Sequence, residues 1–317
     1  MVRKFLLFLY IIFPVLCQSQ KVEYSPKIEI TLETYAFLKG QNAALQKVSR
    51  EFPSLKSDVK AAEKIQSISF GSAQRNIEQF LKEELNEYHF RTIDNHFDSI
   101  INQQLEHPVG KEKYARDFLK LVTERSKNIF KTTHSKGILS FKYYHAPHQE
   151  IIDGYADLYD TKDHPKARAV SIKIPIPKSW LAEEAEMPET IQQFTSYNGK
   201  GTDKILILIY KIPTELNDLV LNENTIQSFL SPQSTLIRTE AVEIDHMPAF
   251  MMEAEEVVDH VRNTKIRMLQ FLVIQKDKLY CLQGSVGPVV KEENLELHLK
   301  KYEPLFRLIA SRTKLDN

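Results

Sequence analysis

Val170-Ser171-Ile172-Lys173-Ile174-Pro175-Ile176 is where this 317-residue sequence changes period. Apolar residues here alternate with polar ones or proline. Period two places Val170, Ile172, Ile174 and Ile176 on one face of a half-buried strand, with Ser171 and Lys173 on the other. Pro175 and Pro177 lack the N–H that a ladder needs, which confines the stretch to a sheet edge or a strand end. Working outward, the sequence after about residue 138 reads mostly in strands, and the sequence before about 131 reads in helices.

On the C-terminal side, Ile205 to Tyr210 is continuously apolar and rich in β-branched residues, as for a central strand covered on both faces. Thr235–Ile244, Ala249–Ala254, Lys265–Lys276 and Lys278–Ser285 are further strands, with Lys276-Asp277 as a tight hairpin turn. A short helix is expected over Asn224–Leu230. A closing helix carries Leu295, Leu299, Tyr302, Phe306 and Ile309, and Pro304 should kink or divide it. The acidic stretch Glu183–Pro188 reads as a solvated loop or helix start.

On the N-terminal side the apolar residues recur at helical spacing. Leu38, Leu45 and Phe52 form one stripe, stopped by Phe52-Pro53. A more polar helix is expected over Ser57–Ile68, and a new start at Gly71-Ser72 leads into Ile77, Phe80, Leu81 and Leu85. Ile93, Phe97, Ile100, Ile101 and Leu105 make the next stripe, closed by His107-Pro108. After Gly110 come Tyr114, Phe118, Leu121, Val122 and Ile129. Four or five amphipathic helices with short links make a small bundle or helical layer. Gln41 and Asn42 fall near the first stripe, either buried with hydrogen bonds or facing a groove. Ile138–Tyr144 reads as the first strand.

The organisation is therefore a leader over 1–19, a helical region over 20–135, a connector with the first strand over 136–164, and a sandwich domain over 165–317. The fold class is α+β, an N-terminal helical region followed by a mainly antiparallel sheet covered by helices.

The run Ile172-Lys173-Ile174-Pro175-Ile176-Pro177-Lys178-Ser179-Trp180 resembles the opening of the PsbP and Mog group of α-β-α sandwich proteins. The strand at Ile205–Tyr210, the segment Met247-Pro248-Ala249-Phe250, the hairpin at Lys276-Asp277 and the closing helix follow the same order. The resemblance implies an extrinsic or binding role, since that group docks to larger partners, and it carries over no catalytic set. The whole chain also resembles exported proteins of Bacteroidetes-type bacteria.

The leader has the order of a secretory signal. Arg3 and Lys4 are followed by an apolar run from Phe5 to Val15, and Cys17 and Ser19 suit a small-x-small cleavage site after Ser19. The run is short of the roughly 20 residues a membrane span needs. Lipid anchoring through Cys17 is the less favoured reading, because Leu16 stands where a lipobox has a small residue. The expected location is periplasmic or extracellular, with no membrane span in the mature chain.

The chain has two cysteines, Cys17 and Cys281. Only Cys281 would remain after cleavage, which excludes an internal disulfide and a cysteine-rich zinc site. It lies in Leu279-Tyr280-Cys281-Leu282 and reads as a buried, inert thiol. Lys plus Arg and Asp plus Glu are 42 each, so no general charge draws the chain to nucleic acid.

Catalytic signatures are sparse. The nine glycines form no phosphate-cradling loop, and no cofactor is indicated. Ser57-Asp58-Val59-Lys60 matches Ser-x-x-Lys without its companion motifs. Asp245-His246 reads as a turn at a strand end. The richest cluster of metal-ligand types is His145, His148, Asp153 and His164, among the acids Asp157, Asp160 and Asp163. Pro147 prevents a regular helix from carrying both first histidines on one face, and a polar connector is the plainer reading. The favoured function is an exported, non-enzymatic binding or accessory protein of the bacterial envelope with a protein partner. The alternatives are a hydrolase with its site near the junction of the halves, or a carrier of a small apolar ligand between helices and sheet.

Overall fold

A computed structural model describes residues 23–127, 133–167, 171–185, 187–212, 219–259, 264–290 and 294–316. The leader, Cys17 included, lies outside them. The chain divides into two units, one up to Tyr144 and one from His145.

The first unit is helical. Helix α1 (Pro26–Glu51) begins where Ser25 accepts a hydrogen bond from the Ile28 amide at 3.3 Å and Pro26 sets the first turn. It ends at Phe52, before Pro53. Helix α2 (Lys56–Gln104) has one break, at Asn86 (φ 58°, ψ 161°). The Asn86 Oδ1 accepts from the His89 amide at 3.1 Å and so caps the second arm of the helix. The chain reverses there. Gln46 meets Glu63 and Asn42 meets Gln66, so the arm 56–85 runs antiparallel to α1. Tyr35 meets Asp94 and Lys47 meets the Leu105 carbonyl, so the arm 87–104 runs parallel to it.

Helix α3 (Glu112–Lys127) runs with the first arm, from Arg116 beside Asp58 to Ser126 beside Ser69. Helix α4 (Thr133–Lys142) continues in that sense, from His134 stacked on Phe37 to Phe141 bonded by Asn76. The result is an up-and-down bundle. Its lower core holds Leu45, Val48, Leu55, Val59, Ala115 and Val122.

Two sequence expectations are corrected here. Gly71 does not start a helix, because α2 passes straight through it. One helical glycine costs about 1 kcal/mol against alanine, less than the burial of Phe70, Ala73 and Ile77 around it returns. The reversal falls instead at Asn86. Ile138–Tyr144 is not a strand but mostly the end of α4, with Ser140 Oγ donating to the Lys136 carbonyl and the Tyr143 amide to that of Leu139. Ile138, Leu139 and Phe141 are buried in the bundle, and so short an apolar run carries no period that separates helix from strand.

The second unit is an α+β sandwich. A one-turn helix α5 (Gln149–Ile152) leads into β1 (Ala156–Asp160). Then come β2 (Ser171–Pro177), β3 (Leu181–Glu183), β4 (Thr190–Thr195) and β5 (Lys204–Lys211). A short helix α6 (Glu223–Ile226) precedes β6 (Ser234–Ile244), β7 (Met247–Asp259), β8 (Thr264–Gln275) and β9 (Lys278–Val290). Helix α7 (Leu295–Arg312), which runs through Pro304 as one element, and β10 (Lys314–Asp316) close the chain.

The strands form a sheet of order β1-β2-β10 and a larger one of order β3-β4-β5-β9-β8-β7-β6, with antiparallel pairings throughout. Strand β5 shows why its sequence is apolar at every position. Ile205, Ile207 and Ile209 join the core that α7 and the small sheet cover. Leu206 and Leu208 join a second cluster with Ile226 of α6 and Cys281. Strand β10 pairs with β2 at Ser171–Lys173 and β1 pairs with it from Lys173 onward, so the two registers overlap only at Lys173. At Pro175 and Pro177 β2 pairs with β1 alone, so each proline has an edge on which its missing donor costs nothing.

Candidate functional site

The four residues nominated as metal ligands stand at the start of the second unit. His145 is exposed in a turn, and His148 is the half-buried residue before α5. Asp153 accepts from Gln149 Nε2 at 2.7 Å, and His164 Nδ1 accepts from the Lys166 amide at 3.2 Å. The neighbouring acids tie the small sheet together. Asp160 accepts from Ser171 Oγ at 2.8 Å and from the Lys162 amide at 2.9 Å, and Asp157 lies 3.7 Å from the Lys178 ammonium. Among the described residues no three of His, Cys, Asp and Glu are grouped to hold a metal ion.

Other motifs resolve into structure. Asp245 and His246 are the two turn residues between β6 and β7, both with positive φ, and Asp245 accepts from the Leu315 amide at 2.9 Å. Ser57 and Lys60 are exposed in the first turn of α2. Cys281 is buried in the second cluster of the sandwich, and burial pushes its thiol up to about 12, which leaves almost no thiolate at neutral pH. Met251 and Met252 are core residues on opposite faces of β7.

The arrangement with binding geometry is in the helical unit, between α1 and the first arm of α2. Positions 63, 66, 67, 70, 71 and 74 follow one another at helical intervals of three and four residues, so they share one face. In most helices that face would be apolar. Here it reads Glu63, Gln66, Ser67, Phe70, Gly71 and Gln74. With Leu38 and Asn42 of α1, these residues line a cleft of about 190 Å³. Leu38 and Phe70 are its buried apolar part.

The amides in this cleft are joined head to tail. Gln66 Nε2 donates to Asn42 Oδ1 at 2.5 Å, Asn42 Nδ2 donates to Gln74 Oε1 at 3.2 Å, and Gln74 Nε2 donates to Glu78 Oε1 at 3.1 Å. An ionised carboxylate only accepts, so Glu78 sets the direction of every bond in the series. The series must then end on the oxygen of Gln66. That Oε1 atom is buried and has no hydrogen-bond partner among the described residues, although Gln66 is only 5% exposed. An unsatisfied buried acceptor costs on the order of 1–3 kcal/mol. At the same level Gln41, 1% exposed, accepts from Arg125 Nη1 at 3.4 Å and its Nε2 is also without a partner. Glu63 accepts from Gln46 Nε2 at 2.6 Å beside the cleft.

Of the two side chains singled out in the first stripe, Gln41 is buried, and Asn42 is both hydrogen-bonded and on the cleft. Their partners Gln66 and Gln74 were missed. The signal was present as an amphipathic stripe whose apolar positions are taken by amides, a carboxylate and a glycine.

No family model matches the sequence, and no curated protein matches it. Over about half its length the chain is similar to solved structures. One is the solution structure of cyanobacterial PsbP (CyanoP) from Synechocystis sp. PCC 6803, at 19% identity and TM-score 0.39, covering 51% of this chain and 93% of that one. Another is LpqN, involved in cell envelope biogenesis of Mycobacterium tuberculosis, at 10% identity and TM-score 0.33, covering 54% and 98%. A third is a point mutant of the protein Mog1, at 10% identity and TM-score 0.33, covering 50% and 95%. PsbP and Mog are the names of the group that the stretch from Ile172 to Trp180 resembles. Among the described residues no helix is long and apolar enough to cross a membrane.

Proposed function

We propose that this chain is an exported, non-enzymatic binding or accessory protein of the bacterial envelope, and that its helical unit carries the binding cleft. Export rests on the leader read from residues 1–19. Binding rests on one observation, the buried Oε1 of Gln66, left without a partner at the end of an amide series whose members line the cleft. Protein interiors leave such acceptors unpaired rarely, and a ligand group that donates there removes the penalty. The sandwich unit is the support, its one thiol being inert.

The test is made in cells. A photo-cross-linking amino acid placed at Ser67, which is exposed beside the cleft, should yield a discrete adduct with an envelope protein. The same probe at the exposed Lys113 of α3 should not. Fractionation should find the chain shortened by its leader and outside the cytoplasm. Full-length chain in the cytosol would end the envelope reading, and identical adducts from both positions would end the cleft's part in it.

A further inference from the structure

We infer that α2 straightens at Asn86 and that the helical unit then exchanges its first half with a second copy of this chain, forming a domain-swapped dimer. The inference does not rest on the cleft. Leu38, Asn42 and the lining residues of the first arm all lie on the half that moves as one piece, so the cleft is the same in monomer and dimer.

Little in the local sequence holds the bend. The bundle reverses at two other places, and both carry proline: Pro53 after α1, and Pro108 after α2 with Gly110 beside it. The stretch Lys82-Glu83-Glu84-Leu85-Asn86-Glu87-Tyr88-His89-Phe90-Arg91 has neither glycine nor proline. Apart from Asn86 itself, no residue in it stops a helix. One residue makes the whole turn. The chain is helical on both sides of Asn86, whose φ of 58° and ψ of 161° border a region that is nearly reserved for glycine. In a straight helix Asn86 takes an ordinary negative φ, and the amides and carbonyls beside the bend regain helical partners. The straight form gives up the hydrogen bond from the His89 amide to Asn86 Oδ1.

Straightening alone would part the two halves of the bundle, and a second copy restores the contacts between them. One half is α1 with the arm 56–85. The other is the arm 87–104 with α3 and α4. Across the division Tyr35 donates to Asp94 at 2.8 Å, Arg116 to Asp58 at 3.5 Å, Ser69 Oγ to the Ser126 carbonyl at 2.9 Å and Asn76 Nδ2 to the Phe141 carbonyl at 2.7 Å. Leu45, Val48 and Val59 of the first half pack with Ala115 and Val122 of the second. Each of these contacts can form between chains as well as within one. The dimer therefore keeps the interface of the monomer and relieves the strained residue twice. A short hinge under strain is the feature that invites such an exchange.

The experiment is sedimentation velocity on the mature chain, held just below its melting midpoint at about 1 mM and at about 1 µM. The dimer fraction should rise with concentration. Asn86→Ala loses a cap that only the bent form has, and it favours the straight helix, so it should raise the association constant about ten-fold or more. Gly-Ser-Gly inserted between Leu85 and Asn86 lets the chain reverse without strain and interrupts the straight helix, so it should abolish the dimer. The insertion decides the matter even where Asn86→Ala fails to fold.

Cross-linking reads how the dimer is built. Asp58 of the first half and Arg116 of the second are both exposed. Chains carrying Asp58→Cys alone, held together with chains carrying Arg116→Cys alone, should be joined by a short bismaleimide in the dimer fraction, and dimers of either variant by itself should not. The native Cys281 is buried and does not compete. A mixed dimer that the reagent does not join, a dimer fraction that Asn86→Ala leaves unchanged or lowers, or a dimer that survives the insertion would overturn the inference. So would a chain that stays monomeric at the higher concentration both as wild type and as Asn86→Ala.

Discussion

Gly284 on β9 and Phe306 on α7 meet so closely that a Cβ on the glycine would stand 2.2 Å from Phe306 Cγ. This contact sets how deep α7 sits in the sandwich. Phe306 is buried and stacks on Tyr302, which meets Trp180 edge-on, so the ring has nowhere to move.

Gly284→Ala should therefore destabilise the second unit by overpacking, at about 1–3 kcal/mol. Urea denaturation followed by tryptophan fluorescence reports on it directly, because the chain's one tryptophan is Trp180. Phe306→Leu in the same chain should recover part of the loss. A midpoint unchanged by Gly284→Ala would mean that α7 is not held at this depth.

The outward side of α7 is held by charge. Glu253 on β7 is buried and accepts from Arg238 at 2.5 Å and from Arg267 at 2.6 Å. Arg238 reaches Glu303 at 2.8 Å, and Arg307 joins Glu303 at 2.7 Å to Glu240 at 2.6 Å. Hydrogen bonds from Arg307 hold the Glu240 carboxyl below its ordinary 4.5. Burial raises that of Glu303, but the bonds from Arg307 and Arg238 outweigh it and the net shift is down. A carboxyl lowered in the folded state contributes stability above its unfolded pKa and loses it as pH falls through the folded value. The urea midpoint should stay level from about pH 7 to 5 and fall below about pH 4. Arg307→Met should flatten that fall while lowering the neutral-pH midpoint. An acid limb identical in the variant would remove Arg307 from the account.

Much of the fold was legible in the sequence, for reasons that can be named. Ile205–Tyr210 announced itself because a strand covered on both faces cannot alternate. Phe52-Pro53 announced a helix end because proline constrains its predecessor. What was not legible depended on partners distant in sequence. Ile138–Tyr144 carries no period, and only the bundle around it decides for helix. Gly71 was read as a helix start and Asn86 was not singled out, although glycine is tolerated where its neighbours are buried and asparagine can take a positive φ when its side chain caps the next turn. At the cleft, Asn42 could be picked out locally. The direction of its hydrogen bonds could not, because it is set by Glu78, 36 positions away.

Cys281 gives a kinetic handle on the sandwich. With the thiol buried and pushed up to about 12, labelling by a disulfide reagent at pH 8 should be slow in the native chain and fast in urea. The labelling rate should rise in Gly284→Ala, since opening of the second unit exposes the sulfur. Rapid labelling of the native chain would mean that the cluster around Leu208, Ile226 and Leu279 is open to solvent.

Gly71 offers a test in which stability and binding move in opposite directions. A Cβ there would lie 3.5 Å from Ser67 Oγ and 3.8 Å from Arg75 Nη1, both ordinary contacts. Gly71→Ala should stabilise the helical unit by up to about 1 kcal/mol through helix propensity alone. A larger side chain, as in Gly71→Leu, should keep most of that gain and fill the cleft, abolishing the Ser67 adduct. Loss of stability in Gly71→Ala would show that the glycine serves packing and not the opening beside it.

Asn86 makes the sharpest prediction for the bundle, because two of its properties oppose each other. Its φ of 58° and ψ of 161° lie in a region that glycine adopts far more readily than other residues. Its Oδ1 nevertheless caps the arm 87–104 through the His89 amide at 3.1 Å. Asn86→Gly relieves the backbone and loses the cap, so the net change should be a few tenths of a kcal/mol. Asn86→Ala loses the cap while the strain stays as it is in the wild type, and should cost about 0.5–2 kcal/mol. Circular dichroism melts of both variants should rank wild type close to Asn86→Gly and well above Asn86→Ala. Equal melting of the two variants would mean that the reversal is held by the Tyr35–Asp94 contact across the bundle and not by the residue at the bend.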